Sequence, residues 1–425
     1  MGGTQRIAKF CKYLPDFGWT PIVITVKDVA YYAHDTTLMN DVQHTEIVRT
    51  HSLDPLRILA LRKKNHQEKN TGPDKHFQAA WRGNKGLNTF NRILNWLLIP
   101  DSKVLWLPFV IFQALKIIRH QNIEIVFTTS PPHSLHLAGV FLKLIAGTKW
   151  VGDFRDEWTG GESQPCPTTF HLWLNRIIEK FTLKRMDAML GICQHLVDNL
   201  YKKSGNSSAL YKTMPNGFDA DDFEAVQHEP PLPKFTVVHC GSISKVSDPE
   251  PFLMALESLF HEQPNLRDRI AVRFVGIDVF GRLNPLLEKY GLADVVEAKP
   301  YLPHQQAIRL MMQAHVLLLL VIRKTKEEII TSKVYEYLAT GRRILAIIPS
   351  GELADILTAA DAGKIILNHH RIDQIKGAIS AFYAEYIKGT LNIQPTQFIN
   401  QFERKRLTED LATIFNRLTE NRRNV

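Results

Sequence analysis

The chain places charged residues and glycines directly after apolar runs, where a bound ligand could meet them. Glu328-Ile329-Ile330-Thr331-Ser332-Lys333-Val334-Tyr335-Glu336-Tyr337-Leu338-Ala339-Thr340-Gly341 follows an apolar run and opens a helix near Ser332. Lys333 then stands at a helix N-terminus, where free N–H groups and the dipole favour a phosphate. Glu336, one turn on, could accept the two hydroxyls of a ribose, and Gly341 ends the helix. The same residues would equally make a surface helix capped by Ser332. His239-Cys240-Gly241-Ser242-Ile243-Ser244-Lys245 is a strand running into a glycine turn. Gly241 lets a ligand approach the backbone, and Lys245 could pair with a phosphate. Thr128-Thr129-Ser130-Pro131-Pro132-His133-Ser134 and Asp153-Phe154-Arg155-Asp156-Glu157-Trp158 each follow a strand. That is the end of an open α/β sheet at which ligands bind. His133 and His136 have no carboxylate or cysteine at metal-ligand spacing, so no metal site is expected.

Elements to hold these residues are legible in the apolar pattern. Pro21–Val26, Ile123–Thr128, Lys149–Phe154 and Ala188–Ile192 read as buried strands, alternating with helices over Arg6–Leu14, Pro108–Arg119, Ser134–Ile145 and Leu172–Arg185. Apolar strands without polar alternation, separated by helices, imply parallel sheets covered on both faces, a doubly wound α/β class. The pattern restarts after Pro215-Asn216-Gly217-Phe218-Asp219. Strands follow at Phe235–Cys240, Ile270–Val275, Val295–Ala298, His315–Val321 and Arg343–Ile348. Helices are expected at Pro251–Phe260, Val279–Tyr290, Gln305–Gln313 and Val334–Ala339, with a last one at Ile399–Arg417. The organisation expected is an N-terminal domain over 1–217, a second over 218–390, and a C-terminal helix in 391–425 that packs back on the first. A doubly wound domain ordinarily opens with a strand. Here the Gly2-Gly3 turn comes first, and the first N-terminal strand is expected to be missing.

Composition narrows the class. The 425 residues are 44% hydrophobic and 22% charged, as in ordinary globular proteins. The four cysteines form no C-x-x-C pair, which excludes a disulfide scaffold or zinc ribbon and fits a reducing compartment. No apolar run approaches membrane-spanning length, and no signal peptide is visible, so a cytoplasmic protein is expected. The net charge is +9. Seven bases against Glu68 and Asp74 between Arg62 and Lys85 make +5 in one segment, which suits a phosphate-bearing partner or a solvated loop. Beside it, Ile93–Phe112 is rich in aromatic and apolar residues, as in core packing or as at an anionic membrane surface carrying a lipid-linked acceptor. No nucleic-acid reader motif is present.

Together these segments resemble the retaining glycosyltransferases of GT-B fold, family 4 type, over nearly the whole chain. Pro215-Asn216-Gly217-Phe218-Asp219 is similar to that family's inter-domain "PNG-x-D" linker. Glu328 and Glu336 reproduce its E-x7-E spacing. Ser332–Gly341 and the Asp153–Trp158 run resemble variants found in enzymes of cell-surface polysaccharide and glycolipid synthesis. Gly2-Gly3-Thr4-Gln5-Arg6 resembles the acceptor-side glycine loop, and Phe402-Glu403-Arg404 the opening of the crossing-back helix. Val246 and Ser247 stand where the family carries a basic pair.

The resemblance implies two Rossmann-like domains facing a cleft and a hexosyltransferase-type enzyme. The nucleotide-sugar donor would lie on the C-terminal half. Lys333, with Lys245, would neutralise the diphosphate beside Gly241, Ser242 and Ser332. Glu336 would bind the ribose, the Tyr301 segment would meet the base, and Glu328 would sit by the donor sugar. Gly2, Gly3, His133, Asp153 and Arg155 would face a sugar or lipid-linked acceptor, with Asp153 and Arg155 near the reaction. No cofactor or metal is implied beyond the nucleotide-sugar itself. Two other readings stand beside this one. One is a degenerate, non-catalytic binding protein. The other is a nucleotide-sugar epimerase or hydrolase, for which His133 and Asp153 are the only candidates to activate water.

Overall fold

The computed structural model describes residues 2–27, 37–54, 96–161, 166–224, 226, 230–322, 330–391 and 397–423. They fall into two compact units, one of Gly3–Pro215 with Thr408–Val425 and one of Asn216–Leu407.

In the first unit, helix α1 (Gly2–Tyr13) leads to β1 (Ile22–Val26) and β2 (Glu46–Thr50), which pair in parallel. After α2 (Leu107–His120) come β3 (Ile125–Ser130), α3 (Ser134–Ala146), β4 (Lys149–Phe154), α4 (Thr169–Leu183), β5 (Ala188–Gly191), α5 (Gln194–Ser204) and β6 (Leu210–Thr213). The last four strands make a parallel sheet in sequence order. The described strands of this unit thus form two separate sheets, with β1 paired only to β2 and β3 only to β4. The turn expected at Gly2-Gly3 is instead the first turn of α1. Its physical reason is packing. The Arg155 guanidinium lies across Gly3 and would overlap any Cβ there. Phe10 of α1 and Phe415 both meet Phe127 of β3 edge-on, at 6.3 and 6.2 Å between ring centres.

The second unit carries β7 (Phe235–Cys240), α6 (Glu250–Glu262), β8 (Ile270–Val275), α7 (Leu283–Lys289), β9 (Val296–Lys299), α8 (His304–Gln313), β10 (Val316–Leu320), α9 (Lys333–Ala339), β11 (Arg343–Ile347), α10 (Glu352–Ala359), β12 (Gly363–Ile366) and α11 (Ile372–Ile387). Its sheet runs β9-β8-β7-β10-β11-β12, all parallel. Phe235, Val237, Leu318 and Phe274 pack with Phe252 of α6 and Ile375 and Phe382 of α11. The alternate residues Val238, Leu317 and Leu319 are just as buried, so both faces are covered, as a parallel sheet requires. The strand order reverses between β7 and β10, and ligands bind at such a switch point, outside the carboxyl ends of the strands. The last helix, α12 (Arg404–Arg423), begins in the second unit and continues in the first. There Trp19 meets Phe415 and donates from Nε1 to Asn416 at 3.0 Å.

Candidate functional site

The switch point of the second unit is built from two segments the sequence singles out. β7 ends at Cys240, and Gly241 follows with φ +144, a conformation that favours glycine. β10 ends at Leu320, and its chain returns at Lys333, the first residue of α9. A Cβ on Gly241 would overlap Nζ and Cε of Lys333, so the ammonium lies on the glycine itself. Gly276, at the end of β8 with φ +142, is equally tight against the Gly241 carbonyl. Tyr337, one turn beyond Lys333, fixes the helix to the strands: its hydroxyl accepts the Cys240 N–H at 2.8 Å. His239 donates from Nδ1 to the Leu318 carbonyl at 2.8 Å. Burial, then the nearby Lys333, pulls His239 down to about 3, so it is neutral.

Lys333 is shielded enough that burial lowers its ammonium to about 8, against the opposing pull of Cys240 and Glu336. A cation held on a backbone glycine with weakened hydration is well suited to an oxyanion. Glu336 is pushed up by burial, while His304, Arg404 and Lys333 pull it down and Asp222 opposes them. His304, the first residue of α8, stands between the carboxylates, with Nε2 3.2 Å from Asp222 and Nδ1 3.8 Å from Glu336. Gln305 adds a bond to Asp222 at 3.3 Å.

Gly241, Lys333 and Glu336 are therefore brought together. Ser332 holds the N-cap position of α9 without a side-chain capping bond, as against the alternative of a helix capped by Ser332. Ser242 is exposed, its carbonyl accepting from Ser247 Oγ at 2.6 Å. Lys245 points its ammonium at the Phe280 ring, 5.8 Å away, and is exposed. Tyr301 lies in the loop between β9 and α8. Glu328, the basic Arg62–Lys85 segment, Ile93 and Leu94 lie outside the described residues. The sequence reading missed His304 and Asp222. The signal for them was adjacency, His304 directly following Tyr301-Leu302-Pro303 and Asp222 three residues past Asp219.

In the first unit, Asp153 is fully buried at the end of β4. Its Oδ1 accepts from Arg6 Nη2 at 2.8 Å, and its Oδ2 from Arg6 Nε at 3.2 Å and from Thr129 at 2.8 Å. Arg155 donates from Nε to the Ser130 carbonyl at 3.0 Å and from Nη2 to the Pro131 carbonyl at 2.7 Å. Both are bonded to groups at the strand ends. His133 is fully buried and stacked on Trp158, 5.4 Å between ring centres. Burial, Lys203 and Arg155 lower it to about 3, the Glu157 backbone opposing them. Held there it binds a proton only weakly, and it is out of water's reach, so it is no ready base for a hydrolase or epimerase. Among the described residues no group of three metal-ligating side chains is found, and no helix is long and apolar enough to cross a membrane. Of the apolar Ile93–Phe112 stretch, Leu107 and Val110 are core, whereas Trp96, Leu97 and Phe112 face solvent.

No protein-family model and no curated protein matches the sequence. Solved structures do match in shape. A glycosyltransferase from Rickettsia africae ESF-5 is 15% identical, with a TM-score of 0.63 over 99% of this chain and 96% of that one. HepE from Anabaena, solved with UDP and glucose, is 12% identical, with a TM-score of 0.62 over 98% of this chain and 96% of its own. The fold is that of the GT-B glycosyltransferases. A sucrose-phosphate synthase from Thermosynechococcus elongatus is a further neighbour, 13% identical with a TM-score of 0.58, covering 97% of this chain and 92% of that one. At these identities the likeness is one of fold, with its two Rossmann-like domains.

Proposed function

We propose that the chain is a retaining glycosyltransferase, moving a sugar from a nucleoside diphosphate sugar to a polysaccharide or lipid-linked acceptor. The observation that carries this reading is the shielded Lys333 ammonium lying on Gly241 at the switch point of the second sheet. In this reading Lys333 holds the diphosphate, Glu336 takes the ribose hydroxyls with His304 steadying its charge, and the Tyr301 loop meets the base. The bond from the anomeric carbon to the diphosphate breaks, leaving an oxocarbenium-like sugar and a diphosphate anion. The acceptor oxygen bonds the same carbon from the same face, and its proton passes to the departing diphosphate, so no separate protein base is needed. A fixed positive group at the leaving oxygens is worth about 3–4 kcal/mol of barrier when well placed. The reading assigns no role to a metal or other cofactor. HepE was solved with UDP, which makes uridine the first base to try.

The test is a thermal-shift series with UDP, GDP, ADP and their sugar conjugates, beside Lys333→Ala and Glu336→Ala. One nucleotide should raise the melting temperature, and both variants should lose the rise. No rise with any nucleotide on a folded chain would sink the proposal. A rise without sugar transfer or release would favour the non-catalytic binding protein.

A further inference from the structure

Large apolar side chains stand in solvent along one layer of the first unit. On α4, Phe170, Trp173, Ile177 and Phe181 are each 45–59% exposed, and their spacing puts them on one face of the helix. On α3, Phe141, Leu144 and Ile145 share a face and are 48–64% exposed. On α2, Phe112 is 73% exposed. These helices are neighbours: α3 and α4 are the successive crossovers between β3, β4 and β5, and α2 packs on α3 through Leu107, Val110 and Ala138. Trp96 extends the patch at the start of α4, since His171 Nε2 meets its carbonyl at 2.8 Å and Trp96 and His171 lie ring to ring. Such an area exceeds the scatter of single apolar residues on any soluble surface.

Charge decides what covers it. Among the residues of α2, α3 and α4 there is one acid, Glu179. It is buried and turned inward to Thr159 and Lys203. The exposed charges on these helices are all positive, Lys116 and Arg119 beside Phe112 and Arg176 and Lys180 beside the α4 face, and exposed Lys184 follows directly after α4. Arg185 lies over the Phe181 ring at 3.6 Å. A second copy of the chain docking here would set cations against cations. A nucleic acid would meet the cations but leave the aliphatic side chains without partners. We infer that the outer face of α2, α3 and α4 docks on an anionic lipid bilayer. Phe112, Phe170, Trp173 and Phe181 enter the headgroup–acyl boundary while the flanking lysines and arginines meet lipid phosphates.

The test is co-sedimentation of the full chain with vesicles of phosphatidylcholine alone or with phosphatidylglycerol added. The phosphatidylglycerol vesicles should carry the protein down, more strongly at low salt. Because every altered side chain is exposed, the variants should fold, which their melting curves check. Arg176→Gln with Lys180→Gln and Lys184→Gln should weaken binding roughly a hundredfold, about fivefold for each cation lost. Trp173→Ser with Phe181→Ser should weaken it on both vesicles. No partition of the folded chain on anionic vesicles would overturn the inference, as would partition that neither variant changes. So would a dimer that Trp173→Ser with Phe181→Ser dissociates, because a second copy would then cover the face. Partition is read without donor or transfer, so this result is separable from the donor reading.

Discussion

The ammonium of Lys333 rests on the α-carbon of Gly241, so the residue that follows β7 and the residue opening α9 fit only while position 241 lacks a side chain. Gly241→Ala should fail twice. The methyl group displaces Lys333, and φ +144 strains any residue with a Cβ, at a cost on the order of 1–3 kcal/mol. The expected result is a lowered melting temperature together with loss of the nucleotide-induced shift. An alanine variant that keeps both would mean that Lys333 has other room to stand, and the site as drawn would be wrong.

The value of about 8 for Lys333 sets the sign of two pH effects. A bound diphosphate raises that value, so above about pH 8 binding takes up a proton. Nucleotide affinity should therefore fall as pH rises, by at most about tenfold per pH unit. Lys333→Arg, which stays charged, should flatten this slope in calorimetric titrations between about pH 7 and about pH 9. Without ligand the sign reverses. The ordinary value is 10.5, so between about 8 and 10.5 the unfolded chain holds more protons and stability rises with pH. The cost of the shielded charge is fully present below about 8. Lys333→Met should then melt no lower than the parent at neutral pH while losing the nucleotide. A lower melting point would show Lys333 to be a structural cation.

Asp153 and Arg6 are both fully buried and doubly bonded. The other Arg6 bonds go to the carbonyls of Met214 and Pro215 at 2.8 and 2.7 Å, so one guanidinium ties α1, β4 and the exit of β6. Removing one partner strands the other charge, which costs about 3–5 kcal/mol. Arg6→Met and Asp153→Asn should both lower the denaturation midpoint steeply, and the double variant should lose less than their sum. If Asp153→Asn leaves stability intact and stops transfer, the carboxylate acts on substrate instead.

Legibility tracked burial. Lys149–Phe154, Phe235–Cys240 and Ile270–Val275 have the same bounds in the sequence pattern and in the structure, because mostly apolar runs without polar alternation suit a covered parallel sheet. Glu46–Thr50 and Leu210–Thr213, which are outer strands with polar residues, carried no such signal. Of the candidate site, the grouping of Gly241, Lys333 and Glu336 is visible in the sequence, because glycine and charge at strand ends are costly without cause. The His304–Asp222 pair was not visible. Its two residues are 82 apart in sequence, and only the fold joins them. Asp153 and His133 drew notice for the same charge and position, but their burial was hidden, and burial is what turned one into a clasp and the other into a neutral ring.

The two sheets of the first unit make a last prediction. β1, Ile-Val-Ile-Thr-Val, is half-buried at every residue and among the described strands pairs only with β2. β10, Val-Leu-Leu-Leu-Leu, is fully buried and paired on both sides, to β7 and β11. In a parallel strand alternate amides point to opposite neighbours, so about half of those in β1 lack a ladder partner among these strands. Local opening needs less free energy where fewer bonds and less apolar contact must be broken. Hydrogen exchange followed by mass spectrometry should show β1 peptides exchanging well before β10 peptides at the same pH. Adding denaturant below the unfolding midpoint should erase β1 protection first. Equal protection of the two strands would mean that β1 has a second pairing partner.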